Sequence, residues 1–188
     1  MEFSHYSVML EECIAGLAIR PDGIYVDGTA GGAGHSCQIA KRLTDGKLFA
    51  LDKDPDAVNI AEQRLAPYAQ ATVIQADFRD LCCTLKERGI TGVDGILLDL
   101  GVSSYQLDTT ERGFSYHQDA PLDMRMSKTG PSAQDLVNTY STEDLSRIIR
   151  EFGEEKYAWS IAKNIEKARA KAPITTTGQL AEIIRESM

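Results

Sequence analysis

Three observations predict an α/β fold built on a doubly wound parallel sheet. Four short apolar runs end in the acids Asp27, Asp52, Asp77 and Asp99. These acids are spaced 25, 25 and 22 residues apart, room for one strand and one returning helix per repeat. Between them lie polar amphipathic stretches, in which the apolar period lengthens from about two to about 3.6 residues.

In chain order, Val8 to Leu17 reads as an amphipathic helix ahead of the sheet. Ile24 to Asp27 is the first strand, followed by a helix over His35 to Leu43. Leu48 to Asp52 is the second, and Pro55 sits at the first turn of the helix over Asp56 to Leu65. Thr72 to Asp77 is the third, with its helix over Arg79 to Arg88 stopped by Gly89. Gly95 to Asp99 is the fourth. Acids at the carboxyl ends of parallel strands line the edge where open α/β sheets bind ligands. From Tyr105 to Pro131 the breakers Gly113, Pro121, Gly130 and Pro131 predict a loop-like stretch. Beyond it the pattern is helical. One helix opens at Ser141 and stops at Gly153, a second runs from about Glu154 to Lys171, and a third opens on the capping-box pattern Thr176 to Gln179.

The chain has 188 residues, enough to bury a core without a disulfide or metal staple. No apolar run reaches the roughly 18 residues of a membrane span, and the acidic start lacks a signal-peptide pattern, so a cytoplasmic protein without membrane contact is expected. The four cysteines contain no C-x-x-C pair and are read as buried fillers in a reducing compartment. No metal is expected, because His5, His35 and His117 are widely spaced and show no ligand motif. The net charge of −8 argues against gripping nucleic acid through a broad basic surface.

The strongest chemical signal is Asp27-Gly28-Thr29-Ala30-Gly31-Gly32-Ala33-Gly34-His35-Ser36, a glycine-rich turn between the first strand and its helix. Such a turn lets backbone approach a ligand closely and offers the unpaired N–H groups of a helix start. The spacing of its glycines matches the dinucleotide fingerprint G-x-G-x-x-G poorly. Asp52 can accept hydrogen bonds from ribose hydroxyls, which serves a nicotinamide dinucleotide and S-adenosylmethionine alike. The remaining set favours S-adenosylmethionine: Asp27 and Gly31 for the amino-acid end, and Phe78 to lie against adenine. Plainer readings stand beside these, with Asp77 as a helix cap, Phe78 as core and His35 as an ordinary first-turn residue. Asp99 leads into Ser103 and Ser104, a short polar loop at the same edge. A carboxylate there, accepting an N–H of an exocyclic base amine, localises a lone pair otherwise delocalised into the ring.

The strings His5-Tyr6-Ser7-Val8-Met9-Leu10, DGTAGGAGHS (27 to 36), LDKDPDA (51 to 57), DGILLDLGVSSYQLD (94 to 108), ERGFSYHQDAPLDMRM (111 to 126) and FGEEKYA (152 to 158) closely resemble the RsmH/MraW family. Members of that family are S-adenosylmethionine-dependent methyltransferases that modify N4 of a cytidine in the decoding region of 16S ribosomal RNA. The resemblance implies a Rossmann-like class I methyltransferase sheet, left incomplete here, with an inserted all-helical subdomain. Residues 1 to 104 would form the cofactor-binding part and residues 105 to 188 the substrate-recognition part.

Carried over position by position, the resemblance implies cofactor contacts at Ala33, Gly34, His35, Asp52, Phe78, Asp99 and Gln106. Asp99, Ser103 and Ser104 are expected at the reaction centre. Tyr105 stands where the family usually has proline. Phe114 or Tyr116 is a candidate for stacking on a flipped base, and Arg125 for binding a phosphate or a structural carboxylate. Family members continue beyond the position of Met188 through further strands, so the chain reads as C-terminally truncated, with the fourth strand an exposed edge that invites self-association. The small ribosomal subunit is the expected partner. The alternative from another class is a catalytically silent module that binds cofactor and RNA without transferring a methyl group.

Overall fold

A computed structural model describes residues 7–188; His5 and Tyr6 of the first family-like string lie outside the described residues. The chain divides into two units, Met1–Gly101 and Val102–Met188.

In the first unit β1 (Ile24–Asp27), β2 (Lys47–Asp52), β3 (Ala71–Gln75) and β4 (Gly95–Leu97) form one parallel sheet in the order β3-β2-β1-β4. The chain steps outward from β1 to β3 and then crosses back to lay β4 on the other side of β1. That reversal is the switch point of a Rossmann-like α/β sheet. Alternation along the strands builds a core on each face. Tyr25, Leu48 and Ala50 meet Ile14 of α1 (Leu10–Leu17), Ile39 of α2 (Gly34–Ala40) and Leu65 of α3 (Pro55–Leu65). Val26, Phe49, Leu51 and Ile74 meet Leu85 of α4 (Leu81–Lys86) on the opposite face. Covering both faces is why these strands read as continuous apolar runs. At Gly95 a Cβ would sit 2.9 Å from Leu17 and 3.0 Å from Tyr25, so only glycine lets β4 lie this close to α1.

Two strands are shorter than the sequence predicts. β3 ends at Gln75 and β4 at Leu97, so Asp77 and Asp99 lie two residues beyond their strands, whereas Asp27 and Asp52 close theirs. The cause at Asp77 is its own side chain, which accepts the Arg79 N–H at 3.0 Å and turns the backbone into a 3₁₀ turn over Phe78–Asp80. β4 is an edge strand, and Ile96, Leu98 and Leu100 are exposed along it and its continuation. The cysteines are not buried fillers. Cys82 and Cys83 are exposed, because α4 turns Leu85 toward the core, and Cys13 and Cys37 are half-buried.

The second unit is helical around one core. α5 (Ser104–Asp108) and a 3₁₀ turn at Thr110–Arg112 occupy the start of the stretch predicted to be loop-like. α6 (Ala133–Thr139), α7 (Thr142–Glu151), α8 (Ala158–Arg169) and α9 (Thr177–Arg185) follow. Leu122, Val137, Leu145, Ile161, Ile165 and Ile174 pack together at their centre. α6 is an addition to the predicted helices, opened by a capping box between Ser132 and Asp135. The irregular stretch is tied into the core: the Leu122 N–H donates to the Thr175 carbonyl at 3.0 Å and the Thr177 N–H to that of Ala120 at 2.9 Å. Buried Arg112 holds the same stretch from within, donating to the carbonyls of Arg125 and Met126 at 2.9 and 3.0 Å.

Candidate functional site

The glycine-rich turn runs across the carboxyl ends of three strands and is hydrogen-bonded to each region it passes. The Gly28 N–H donates to Leu97 of β4 at 2.9 Å and the Ala30 N–H to Leu51 of β2 at 2.8 Å. The Gly31 N–H donates to the Asp52 carboxylate at 2.8 Å. Gly31 has φ +49°, a left-handed conformation that costs glycine nothing, and Ala33 adopts φ 59° just before α2. At Gly28 a Cβ would lie 2.5 Å from Leu98 and 3.3 Å from the Phe78 Cβ, so the bare backbone lets Phe78 sit beside the turn.

Asp27 is sealed beneath this turn at 1% exposure. Its carboxylate accepts the Ser36 hydroxyl at 2.6 Å and the Thr29 N–H at 3.1 Å, bracing both ends of the turn. Burial pushes its pKa up, against the lowering effect of those two hydrogen bonds. Asp52 is half-buried, and its second oxygen accepts the Asp54 N–H at 2.9 Å. Burial raises its pKa too, while the Asp54 and Gly31 N–H groups pull it down. A carboxylate oxygen has room for more than one donor, so Asp52 keeps acceptor capacity for hydroxyls.

Asp99 is exposed and lies past β4 at the switch point; its backbone N–H donates to the Thr29 hydroxyl at 2.7 Å. Among the described residues its carboxylate has no hydrogen-bond or ion-pair partner. Asp77 is held below the usual carboxylate range by the Arg79 guanidinium 2.9 Å away. It therefore serves as a cap and ion-pair acceptor beside Phe78. His35 is buried in the first turn of α2 with Nε2 3.1 Å from the Val8 carbonyl. A carbonyl only accepts, so Nε2 carries the proton. Sequence reasoning misses this contact, and it misses Ser7, whose side chain fills the space a Cβ would need at Gly34. It also misses the Thr29 tie to Asp99; all three depend on pairs distant in sequence.

Asp27, Gly31, Ala33, Gly34, His35, Asp52, Phe78 and Asp99 all belong to the first unit, on or beside this turn and the strand ends. Ser103, Ser104 and Gln106 belong to the second, at the start of α5. The Ser103 hydroxyl accepts the Gln106 N–H at 3.2 Å while the Gln106 side-chain oxygen accepts the Ser103 N–H at 3.0 Å, a reciprocal capping box. Ser104 is exposed. Further along, Phe114 is half-buried under Arg112 and Tyr116 is exposed. Arg125 is bidentate to Asp123, 2.6 Å at its shortest, and pulls that carboxyl's pKa down, so of its two expected partners it has the structural carboxylate. Among the described residues no group of three or more acidic, histidine or cysteine side chains could hold a metal, and no helix is long and apolar enough to cross a membrane.

Residues 2–188 match the family model described as the MraW methylase family. The whole chain is 56% identical to "Ribosomal RNA small subunit methyltransferase H 2" of Agathobacter rectalis and 55% identical to "Ribosomal RNA small subunit methyltransferase H" of Lachnospira eligens. It is 49% identical to the protein of the latter name from Limosilactobacillus fermentum. The chain spans 61% of the length of each of these relatives.

Proposed function

Since the chain belongs to the MraW methylase family, we propose that it binds S-adenosylmethionine along the carboxyl edge of its sheet and serves methylation of N4 of a cytidine in the decoding region of 16S ribosomal RNA. The observation that carries this reading is the glycine turn stretched across β1, β2 and β4, with the Asp52 carboxylate on its β2 side and the unpartnered Asp99 carboxylate on its β4 side. The donor set fits the cofactor. Asp52 has acceptor capacity for the ribose hydroxyls, Phe78 offers an apolar surface for adenine, and Gly31 to His35 present backbone at a helix start. When bound, S-adenosylmethionine supplies an activated methyl group on a sulfonium centre. Asp27 acts from below, as the buried brace that fixes the turn.

Asp99 is assigned the acceptor amine: its carboxylate takes an N–H of the cytosine amino group and concentrates electron density on the nitrogen. Ser103 and Ser104, in the short polar loop that follows Asp99, are proposed for the same chemistry, and the family resemblance assigns Gln106 to the cofactor. The Ser103 hydroxyl serves as a cap acceptor, and Ser104 is the more exposed of the two. Residues 1 to 104 are proposed as the cofactor-binding part and 105 to 188 as the substrate-recognition part. The substrate is proposed to be met within the small ribosomal subunit, in the cytoplasm.

One observation favours the alternative of a silent binding module: β4 is an open sheet edge with exposed Ile96, Leu98 and Leu100. The same edge supports self-association. Calorimetry with S-adenosylmethionine followed by tritium transfer to assembled small subunits separates the readings. Binding with transfer supports the methyltransferase; binding by a folded sample without transfer leaves the silent module.

A further inference from the structure

α8 carries an unusual solvent face. Ala158, Ile161, Ala162 and Ile165 are buried, which fixes the opposite side of the helix as the outer one. On that side Trp159, Lys163 and Lys167 follow one another at i, i+4 and i+8, and Lys171 continues the series just past the helix. Trp159 is 46% exposed and is the only tryptophan in the chain. The Lys163 ammonium lies 5.3 Å from the Trp159 ring centroid. Tyr157, at the start of α8, and Phe152, at the end of α7, are exposed as well, at 40% and 77%. Lys163 has Glu166 as an ion-pair partner at 3.1 Å, whereas Lys167 and Lys171 have none among the described residues. The row Trp159 to Lys167 spans about 12 Å of helix.

A large aromatic is usually mostly buried, and leaving Trp159 about half exposed at the head of a lysine row presents an aromatic ring to solvent beside positive charge. The combination suits one class of partner. Aromatic rings accept bases by stacking irrespective of sequence, and unpaired lysines at successive turns meet phosphates along a strand. A protein partner fits less well, because lysine is depleted where protein interfaces bury their centre. We propose that this face is a docking ridge for a single-stranded segment of RNA, with a base stacked on Trp159 and the backbone following Lys163, Lys167 and Lys171. The ridge rests on the ribosomal RNA reading and adds to it a contact surface on the second unit. It also concentrates positive charge in one strip of an otherwise acidic chain.

Because Trp159 is the sole tryptophan, its emission reports this face alone. The full chain is titrated with an unstructured single-stranded RNA oligonucleotide, following tryptophan emission and the anisotropy of a labelled copy. The expected result is quenching of Trp159 in step with the anisotropy. Trp159→Ala weakens binding about fivefold or more, and Trp159→Phe retains most of the affinity. Lys163→Gln with Lys167→Gln lowers the slope of log affinity against log salt by about 1.4. Anisotropy that rises with no change in Trp159 emission, and with unchanged affinity in both the alanine and the double-lysine variants, places RNA elsewhere and overturns the ridge. Absence of RNA binding overturns it also, as does quenching by anionic phosphatidylserine vesicles but not by RNA. S-adenosylmethionine calorimetry on the same sample keeps the two proposals apart: cofactor binding with a silent Trp159 removes the ridge alone, whereas loss of cofactor binding removes the methyltransferase reading.

Discussion

Asp52 and Asp99 flank one turn from opposite sides, yet the proposed chemistry asks different things of them. Asp52→Ala removes the carboxylate that both receives the Gly31 N–H and is assigned the ribose, so cofactor binding should fall below detection in calorimetry. Asp99→Ala removes a side chain with no partner among the described residues. Cofactor affinity should stay within a few fold while turnover drops about 100-fold or more. Equal loss of binding in both variants would contradict this division. Asp27 supplies a pH signature. Burial raises its pKa above the ordinary aspartate value, so as pH climbs the folded state holds a proton that the unfolded state releases earlier. Its contribution to stability is therefore greatest below the unfolded value and is lost as pH rises through the folded one. Asp27→Asn keeps the shape without the charge. The difference in melting temperature between this variant and the parent should thus move in favour of the variant as pH climbs from about 4 toward neutrality. A difference independent of pH would show that Asp27 titrates normally.

At the scale of elements, stability in the second unit rests on caps and on one connector. Thr176 caps α9, accepting the Gln179 N–H, so Thr176→Ala should cost about 1 kcal/mol in denaturant unfolding. Leu122 lies in the irregular stretch but is 2% exposed at the centre of the helical core. Leu122→Ala should cost about 2 to 5 kcal/mol, a core penalty from a segment without regular structure. These elements also mark where the sequence is legible. The strands and helices of the first unit follow from local period and from Pro55 and Gly89, and the caps at Ser141 and Thr176 from residue type alone. α5 escapes a sequence reading because its five residues carry too little apolar period to register. The burial of Leu122 and Arg112 depends on partners far along the chain, which no local pattern encodes. At the site, Asp52 and the glycines are readable from their place after strands. The sealing of Asp27 and the contacts of Ser7, Val8 and Thr29 come only from the folded arrangement.

For the whole molecule, a ligand that binds one unit stabilises that unit first. S-adenosylmethionine at about 100 times its dissociation constant should add about 2.7 kcal/mol to unfolding of the first unit. Hydrogen exchange should slow around residues 24–36 and Asp52, with little change around α7 and α8. Uniform protection across both units would argue against a cofactor site built mainly from the first. The open β4 edge should make sedimentation concentration-dependent, and Ile96→Lys should suppress that dependence. The exposed Cys82 and Cys83 bear on any such measurement. Adjacent positions on a helix project about 100° apart, so these two thiols are poorly placed to close on each other and face outward to other molecules. Samples left in air should accumulate covalent dimers, visible on non-reducing gels and abolished by replacing both residues with serine. The same pair of thiols is a ready attachment point for a maleimide dye on α4, on the sheet face opposite α2 and α3.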